Sequence, residues 1–519
     1  MSGLFIKLLF LIVFFGLMIF VGIYCRKHAT DVNGFVLGGR SVGPWLTAFA
    51  YGTSYFSAVV FVGYAGQFGW KYGIAATWTG IANALLGSLL AWAVLGRRTR
   101  VMTQHLDSAT MPQFFEARFA SKGLKTASSA IIFIFLIPYT ASLYNGLSRL
   151  FAMAFDINYA ACVIIMAILT GIYVIAGGYM ATAINDFIQG LIMIGGIIAV
   201  IAAVLKGQGG FMAALDGLAR VSDPAVSETP GIFASFFGPD PLNLLGVMIL
   251  TSLGTWGLPQ MVQKFYAIKS EKAITKGLII STAFATIVAG GCYFLGGFGR
   301  LFSDRVDIAS EGFDAIIPAM LSDLSPALIA IVVVLVLSAS MSTLSSLVLA
   351  SSSTLTLDFL KDLRKRDMDE KQQLFTMRAL IVVFIAISVV LAIVQYRSSV
   401  TFIAQLMGVS WGALAGAFLA PFLYGLYWKR TTKAACAASF IFSTVVMLLN
   451  TVERSHFPAV IQSPINAGAF CMLAGLIIVP LVSIVTAAPD KALVDDIFAC
   501  YDRKVITTVR DSIGEEVAE

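Results

Sequence analysis

The sequence predicts an all-α protein that crosses a lipid bilayer many times, and two observations predict this. Of the 519 residues, 58% are hydrophobic and only 12% are charged, whereas soluble globular proteins carry about 25% charged residues. Apolar runs of about 20 residues, the length of a transmembrane helix, recur along the whole chain. A helix is the expected fold of each run, because it satisfies the backbone hydrogen bonds within the run itself.

Thirteen transmembrane spans are predicted from these runs. The first run is too long for the core of a signal peptide and lacks a small-residue cleavage site, so we interpret it as a retained span. The predicted spans are residues 4–25, 44–69, 74–96, 127–155, 159–177, 182–206, 242–268, 273–299, 326–359, 376–396, 402–428, 431–450 and 466–487.

The charges of the connecting loops predict the orientation. Arginine and lysine concentrate in alternate loops, for example in residues 97–125 and 361–371, and this pattern marks the cytoplasmic side. The N-terminus is then outside and the C-terminal tail is in the cytoplasm, as an odd number of spans requires. The chain has no Asn-x-Ser/Thr sequon, which is consistent with a bacterial inner-membrane protein.

Several classes of chemistry are excluded. The sequence has no Gly-x4-Gly-Lys-Ser/Thr phosphate loop, so we do not expect ATP to drive the protein. Its three histidines lie in predicted loops and its six cysteines have no metal-ligand spacing, which excludes a histidine-based catalytic site or metal cluster in the membrane. The excess of basic over acidic residues, 35 against 29, is accounted for by cytoplasmic loops and requires no nucleic acid.

Span nine carries a patch of hydroxyl side chains in an otherwise apolar helix. Ser342, Ser345 and Ser346 stand at i, i+3 and i+4 and therefore share one helix face, and the Ala339 carbonyl lies one turn before Ser342. Neutral oxygens of this kind suit a hard cation such as sodium. Alternatively, these hydroxyls bond to their own helix or to a neighbouring one.

Spans two and seven are interrupted near the middle of the membrane. In span two, residues 52–57 (GTSYFS) are small or carry hydroxyls, and in span seven Gly254, Gly257 and Pro259 favour a kink. The two interruptions occupy corresponding positions in two groups of five spans, a pattern typical of transporters built from inverted repeats. The alternative for span two is a packing face of small residues.

Asp186 opens span six and is the one acidic residue that we place inside the membrane. A carboxylate at the centre of a transmembrane helix costs about 3 kcal/mol and persists where it faces a cavity or a cation. The alternative is an interfacial charge at the N-terminus of a helix. Lys264, near the end of span seven, is interpreted as a side chain that extends to the membrane surface.

Five segments together resemble the sodium/solute symporter family, and the resemblance covers nearly the whole chain. They are residues 35–44 (FVLGGRSVGP), 177–179 with 185–189, 257–259, 341–344 and 427–428. Within the family the sequence is most similar to the sodium/pantothenate and sodium/proline carriers. The resemblance implies a five-plus-five inverted-repeat (LeuT-like) core with two broken helices. The chain would then divide into an N-terminal helix and loop (1–43), a first repeat (44–206), an outer loop with the second repeat (207–428), and two helices with a cytoplasmic tail (429–519).

The resemblance also implies where sodium binds. A first site would use the carbonyl oxygens or hydroxyls of Thr53, Phe56, Ala339, Ser342 and Thr343. Some family members, the sialic acid carriers among them, hold a second sodium between the span-six aspartate and span-nine hydroxyls. The matching positions here are Asp186, Ser342, Ser345 and Ser346.

The resemblance is weaker at the solute pocket. Tyr55 stands where the proline carriers have an acid, and Thr251 and Thr255 stand where they have an aromatic pair, whereas Tyr139 matches a tyrosine of span four. The sequence therefore does not name proline as the solute. The candidate pocket residues, for each of which packing or a local hydrogen bond is the alternative role, are Ser54, Tyr55, Ser57, Gln67, Tyr139, Thr255, Trp256, Gln260 and Gln405.

Together these features predict a sodium-coupled symporter that imports a small organic solute, namely a carboxylate, a vitamin-like acid or an amino acid, by alternating access. One or two sodium ions and the solute would be its ligands, and no nucleotide, nucleic acid, obligatory protein partner or enzymatic activity is indicated. The alternative is a membrane sensor that binds solute without transporting it, although the short tail after span thirteen leaves no room for a signalling domain. A channel is a third class, and the broken helices suit a closed binding site better than a pore.

Overall fold

The computed structural model describes residues 3–155, 158–360, 368–398 and 403–502. No β-strand occurs among these residues, and the helices account for nearly all of the regular structure. Ten helices are long and apolar enough to cross a membrane, and an eleventh crossing is obtained when one bent helix pair is counted as a span. The predicted all-α membrane class is therefore confirmed.

The helices are numbered here in chain order over the described residues. They are α1 (Gly3–Tyr24), α2 (Val32–Leu37), α3 (Pro44–Tyr55), α4 (Ala65–Tyr72), α5 (Thr77–Ala82), α6 (Arg97–His105), α7 (Met111–Phe119), α8 (Lys122–Phe155), α9 (Tyr159–Gly207), α10 (Phe211–Ala219), α11 (Pro241–Gly257), α12 (Pro259–Ala267), α13 (Glu271–Gly296), α14 (Ile308–Glu311), α15 (Ile316–Leu321), α16 (Pro326–Thr354), α17 (Glu370–Ser398), α18 (Ile403–Tyr427), α19 (Lys433–Val452), α20 (Pro464–Val485) and α21 (Lys491–Phe498). Wider π-helical turns cover Val59–Tyr64, Asn83–Leu90, Trp92–Gly96 and Leu355–Leu360.

Span two is interrupted where the sequence predicts. Helix α3 ends at Tyr55, and Phe56 has an extended backbone with φ −85° and ψ 123°. The chain becomes helical again just before the π-helical turn Val59–Tyr64, which leads directly into α4. The last carbonyl groups of α3 therefore have no donor in the following turn of helix.

Span seven is interrupted at Leu258, where α11 and α12 meet at an angle of 45°. Pro259 causes the break, because proline has no N–H to continue α11 and pushes the residue before it out of the helical region. Gly257 permits close packing at this point, since a Cβ there would lie 2.8 Å from the backbone nitrogen of Leu419 in α18.

Spans five and six are joined without a loop, which differs from the predicted separation at residues 178–181. Helix α9 runs for 49 residues and is broken by one residue, Gly178, with φ 54° and ψ −146°. Only glycine adopts this backbone region readily. A Cβ at Gly178 would also lie 2.8 Å from the Phe35 carbonyl oxygen, so the chain turns here within a single residue.

Helix α16 occupies the centre of the protein. All its residues from 332 to 354 are buried, and it packs against α1, α3, α8, α9 and α17. The peripheral helices instead expose large apolar side chains, for example Ile12 in α1 and Val452 in α19, as expected for surfaces that face lipid. The hydroxyl patch of span nine is thus enclosed by protein.

Replacing Gly178 by alanine is expected to lower the thermal stability of the protein in detergent. The strained backbone costs about 1–3 kcal/mol for a residue with a Cβ, and the clash with Phe35 adds to it. Gly195→Ala is the matched control, because it lies in the same helix and a Cβ there has no neighbour within 4 Å. Equal melting temperatures for the two variants would contradict this account of the break.

Candidate functional site

The break in span two faces the hydroxyl patch of α16. The Thr343 hydroxyl lies 3.3 Å from the carbonyl oxygens of Thr53, Ser54 and Phe56, and 3.1 Å from that of Ala339. A hydroxyl has one proton and can donate to one of these four oxygens at a time. The remaining oxygens form a concentration of negative partial charge in a buried place.

Ser342 completes this cluster from the same helix. Its hydroxyl donates to the Thr53 hydroxyl over 2.7 Å, and both side chains are fully buried. We call the cluster the α3–α16 oxygen group, and it consists of Thr53, Ser54, Phe56, Ala339, Ser342 and Thr343. It contains the five residues predicted for the first sodium site, and the Ser54 carbonyl is an addition that the sequence did not indicate. Neutral oxygens from two helices are the ligand type that suits a hard monovalent cation.

The residues predicted for a second sodium also lie together, beside the first cluster. Asp186 is fully buried and faces Ser342, and the Ser345 hydroxyl donates to the Ser342 carbonyl over 2.8 Å. The Ser346 hydroxyl lies 2.8 Å from that of Ser54. Ser54, a candidate for the solute pocket, therefore connects the two clusters.

Lys264 lies beside Asp186 and Ser346, and the prediction that its side chain extends to the membrane surface is wrong. The residue is only 2% exposed. Its ammonium is 3.7 Å from Asp186 Oδ2 and donates to Ser346 Oγ over 3.0 Å. The break at Pro259 turns α12 toward α16, and this direction brings Lys264 inward. The sequence did contain a signal for this position, because a lysine inside an apolar span is typical of a buried, paired charge.

An aromatic group lies next to the break in span two, and it consists of Tyr55, Ser57, Tyr139, Tyr293 and Trp411. The ring of Trp411 in α18 lies 5.9 Å from that of Tyr55 and 5.9 Å from that of Tyr139, measured between centroids. The Tyr139 hydroxyl faces Ser57, and the Tyr55 hydroxyl faces Tyr293 of α13. Three of the predicted solute residues, Tyr55, Ser57 and Tyr139, are thus brought together. Trp411 and Tyr293 were missed by the sequence analysis.

The polar atoms of this aromatic group are buried and face one another, but none of them makes a hydrogen bond of normal geometry among the described residues. They are the Tyr55, Tyr139 and Tyr293 hydroxyls, Ser57 Oγ and Trp411 Nε1. A buried polar group without a partner costs about 1–3 kcal/mol, so five of them in one place need an explanation. Binding of a polar solute provides one, because a ligand would supply the missing partners.

For three of the other predicted solute residues the structure shows hydrogen bonds to groups outside this aromatic group. Thr255 donates to the Gly87 carbonyl over 3.0 Å and Trp256 donates to the Leu86 carbonyl over 2.9 Å, so both attach α11 to a neighbouring span. Gln405 accepts a hydrogen bond from Arg454. Gln67 and Gln260 are buried, and each has a side-chain amide atom without a partner in the described part of the chain.

A cavity of about 480 Å³ lies at the α4 end of span two. Its lining includes four charged side chains and the ring of Phe68, which packs against Tyr64 with a centroid distance of 4.9 Å. Tyr64 in turn lies near Tyr55 of the aromatic group. Phe68 and Tyr64 thus connect the lining of this cavity to the neighbourhood of Tyr55. The charged residues are Lys71, Asp223, Asp240 and Arg300.

The opposite end of span two is closed by Arg40. Its guanidinium donates to the carbonyls of Thr103, Ser108 and Tyr266, which ties the loop before α3 to α6 and α12. Burial lowers the pKa of Arg40, although a guanidinium remains charged at neutral pH.

The sequence of this chain is similar to those of known membrane transporters. A sequence model described as "SSF: Sodium:solute symporter family" matches residues 35–442. A sodium/proline symporter of Staphylococcus aureus is 31% identical over 446 residues, and the match covers 84% of each chain.

Two solved transporters share the fold at low sequence identity. A Na⁺-coupled sialic acid symporter, solved in a substrate-bound outward-open state with a novel Na⁺ site, superposes with a TM-score of 0.72 at 18% identity, over 94% of this chain and 99% of that one. MHP1, a nucleobase-cation-symport-1 family transporter in a closed conformation with bromovinylhydantoin bound, has a TM-score of 0.50 at 14% identity, over 89% of this chain and 97% of that one.

The family resemblance predicted from the sequence is confirmed by a model that matches most of the chain and by a relative of nearly full coverage. The chain belongs to the sodium:solute symporter family, whose members are membrane transporters and not enzymes.

Proposed function

We propose that the protein imports a small organic solute together with sodium by alternating access. The observation that carries the proposal is the α3–α16 oxygen group, in which the Thr343 hydroxyl meets four carbonyl oxygens from two helices. Sodium would bind there, with Thr53, Phe56, Ala339, Ser342 and Thr343 as its ligands. Family membership and the sodium-coupled relatives support this assignment.

Sodium and solute are coupled through three consecutive residues. The Phe56 carbonyl belongs to the α3–α16 oxygen group, while Tyr55 and Ser57 on either side of it belong to the aromatic group. A sodium ion that fixes the backbone at Phe56 would therefore also orient the two neighbouring side chains. Each ligand would raise the affinity of the other, because such coupling is reciprocal.

The solute is proposed to bind at the aromatic group. The hydroxyl and indole donors there suit the oxygens of a carboxylate, and the rings suit an apolar body. A carboxylate, a vitamin-like acid or an amino acid would fit this description. The similarity to a sodium/proline symporter favours a small amino acid or a close analogue among these. Sodium moving down its gradient and the membrane potential would supply about 2.3 kcal/mol per charge per 100 mV.

The proposed topology has thirteen spans, with the N-terminus outside and the C-terminus in the cytoplasm. Helix α9 has 49 residues and the helical stretch Val59–His105 has 47, so each is about 70 Å long and sufficient for two crossings of a 30 Å hydrocarbon core. Counting each as two, and the bent pair as one, gives thirteen. The two broken spans then begin two inverted repeats, 44–206 and 207–428, between the flanking segments 1–43 and 429–519. This orientation puts the 480 Å³ cavity on the outer side.

The proposal is tested first by uptake into proteoliposomes under an imposed sodium gradient. Labelled pantothenate, proline, short monocarboxylates and sialic acid form the panel. We expect sodium-dependent accumulation of one of them. Sodium-dependent binding without accumulation would instead identify a sensor, and sodium flux that needs no solute would identify a channel.

Replacing Thr343 by valine is expected to weaken sodium binding while leaving the fold intact. The change keeps the side-chain shape and removes one ligand oxygen, and a contact to a charged group contributes about 1.5–3 kcal/mol. The sodium concentration for half-maximal uptake should therefore rise about tenfold to a hundredfold. Thr282→Val is the control, because the Thr282 hydroxyl donates to the Leu278 carbonyl within its own helix. An unchanged sodium dependence in Thr343→Val would refute the site.

Replacing Tyr139 by phenylalanine is expected to raise the KM for solute at saturating sodium. Loss of one neutral hydrogen bond costs about 0.5–1.5 kcal/mol, which corresponds to an increase of about twofold to tenfold. Tyr424→Phe is the control, since the Tyr424 hydroxyl donates to the Leu476 carbonyl of α20 and belongs to neither the aromatic group nor the α3–α16 oxygen group. If both variants shift the KM equally, the aromatic group is not the solute site.

A further inference from the structure

We propose that the ammonium group of Lys264 takes the place of the second sodium ion, so that each molecule binds one sodium. The inference rests on the proposed function and specifies its stoichiometry. It departs from the expectation that Asp186, Ser345 and Ser346 hold a second ion. The reason is the position of the Lys264 side chain.

Lys264 already places a positive charge beside two of the predicted ligands of a second sodium, while neither carboxylate oxygen of Asp186 has a hydrogen-bond partner among the described residues. Its ammonium lies 3.7 Å from Asp186 Oδ2 and donates to Ser346 Oγ over 3.0 Å. The side chain of Lys264 is 3% exposed and that of Asp186 is 0% exposed, so solvent does not screen the pair. A positive charge that is covalently attached to α12 thus lies beside Asp186 and Ser346.

The remaining hydroxyl of the predicted set is also engaged. Ser345 donates to the Ser342 carbonyl over 2.8 Å. Ser346 accepts from Lys264 and lies 2.8 Å from the Ser54 hydroxyl, so its oxygen has contacts on two sides. A sodium ion at Ser346 Oγ would have to displace the ammonium that already donates to this oxygen.

The charge balance favours one cation at this place. Asp186 is the acidic side chain paired with Lys264 in the described structure, and it supplies one negative charge. A sodium ion beside the ammonium would leave one positive charge uncompensated in a buried region, which is strongly unfavourable. The ring of Tyr179, 5.1 Å from the Lys264 ammonium, favours the retention of the lysine charge.

The tethered charge is connected to the first site through Ser54. Ser54 bonds to Ser346 by its hydroxyl, and its carbonyl oxygen belongs to the α3–α16 oxygen group. Lys264 of α12 is therefore linked to both α3 and α16. Its ammonium compensates Asp186 at any sodium concentration, whereas a second sodium would do so only when the ion is plentiful.

The test is the number of sodium ions that the purified full-length protein binds at saturation, measured with radioactive sodium. We expect one per molecule for the wild type and two for Lys264→Met, in which Asp186 and the hydroxyls become available to an ion. Lys264→Arg keeps the charge and should bind one. The double variant Lys264→Met/Asp186→Asn removes both charges and should also bind one.

Sodium dependence of uptake provides an independent measurement. The Hill coefficient should be close to one in the wild type and should exceed one in Lys264→Met. Two bound ions in the wild type, or one in a folded Lys264→Met, would overturn the inference and leave the proposed function standing. If Lys264→Met does not fold, the wild-type stoichiometry decides alone. A wild type that binds no sodium would overturn the inference together with the proposed symport.

Discussion

The arrangement of the site depends on carbonyl groups that the end of α3 leaves without partners in the middle of a membrane protein. Lipid offers no hydrogen bonds, so an interruption of a helix at this depth is tolerated only where other protein groups or a bound ligand satisfy the backbone. The Thr343 hydroxyl provides such a group, and the Ser342 hydroxyl bonds to the Thr53 side chain next to it. This requirement keeps α16 at the centre, buried over its whole hydroxyl-bearing length.

The second interruption, at Leu258 in span seven, determines the direction of a charged side chain. Pro259 begins α12 at an angle of 45° to α11. Because of this angle, Lys264 is directed toward Asp186 and not toward the membrane surface. A buried carboxylate alone would be very costly, whereas a buried pair with additional hydrogen bonds is tolerated. The two broken helices thus supply neutral oxygens in one case and a balancing charge in the other.

These two clusters and the aromatic group meet within a few residues of the span-two break. Ser54 contacts the charged pair through Ser346, Phe56 contributes to the α3–α16 oxygen group, and Tyr55 packs against Trp411. Such proximity gives a physical basis for coupling, because a change in backbone at one residue is transmitted to its neighbours directly. No extended pathway through the protein is needed to explain how ion and solute affect each other.

The sequence by itself determined the membrane class, both interruptions and five of the six residues of the α3–α16 oxygen group. Composition, glycine and proline positions and helical spacing carry that information locally, and the family motifs extended it. Only the tertiary structure decided that Lys264 points inward and that Trp411 and Tyr293 lie beside Tyr55. It also decided that three predicted solute residues make hydrogen bonds to other spans or loops, namely Thr255, Trp256 and Gln405. The direction of a side chain beyond a kink, and which distant helix faces it, depend on packing between segments far apart in the chain, and no local pattern records them.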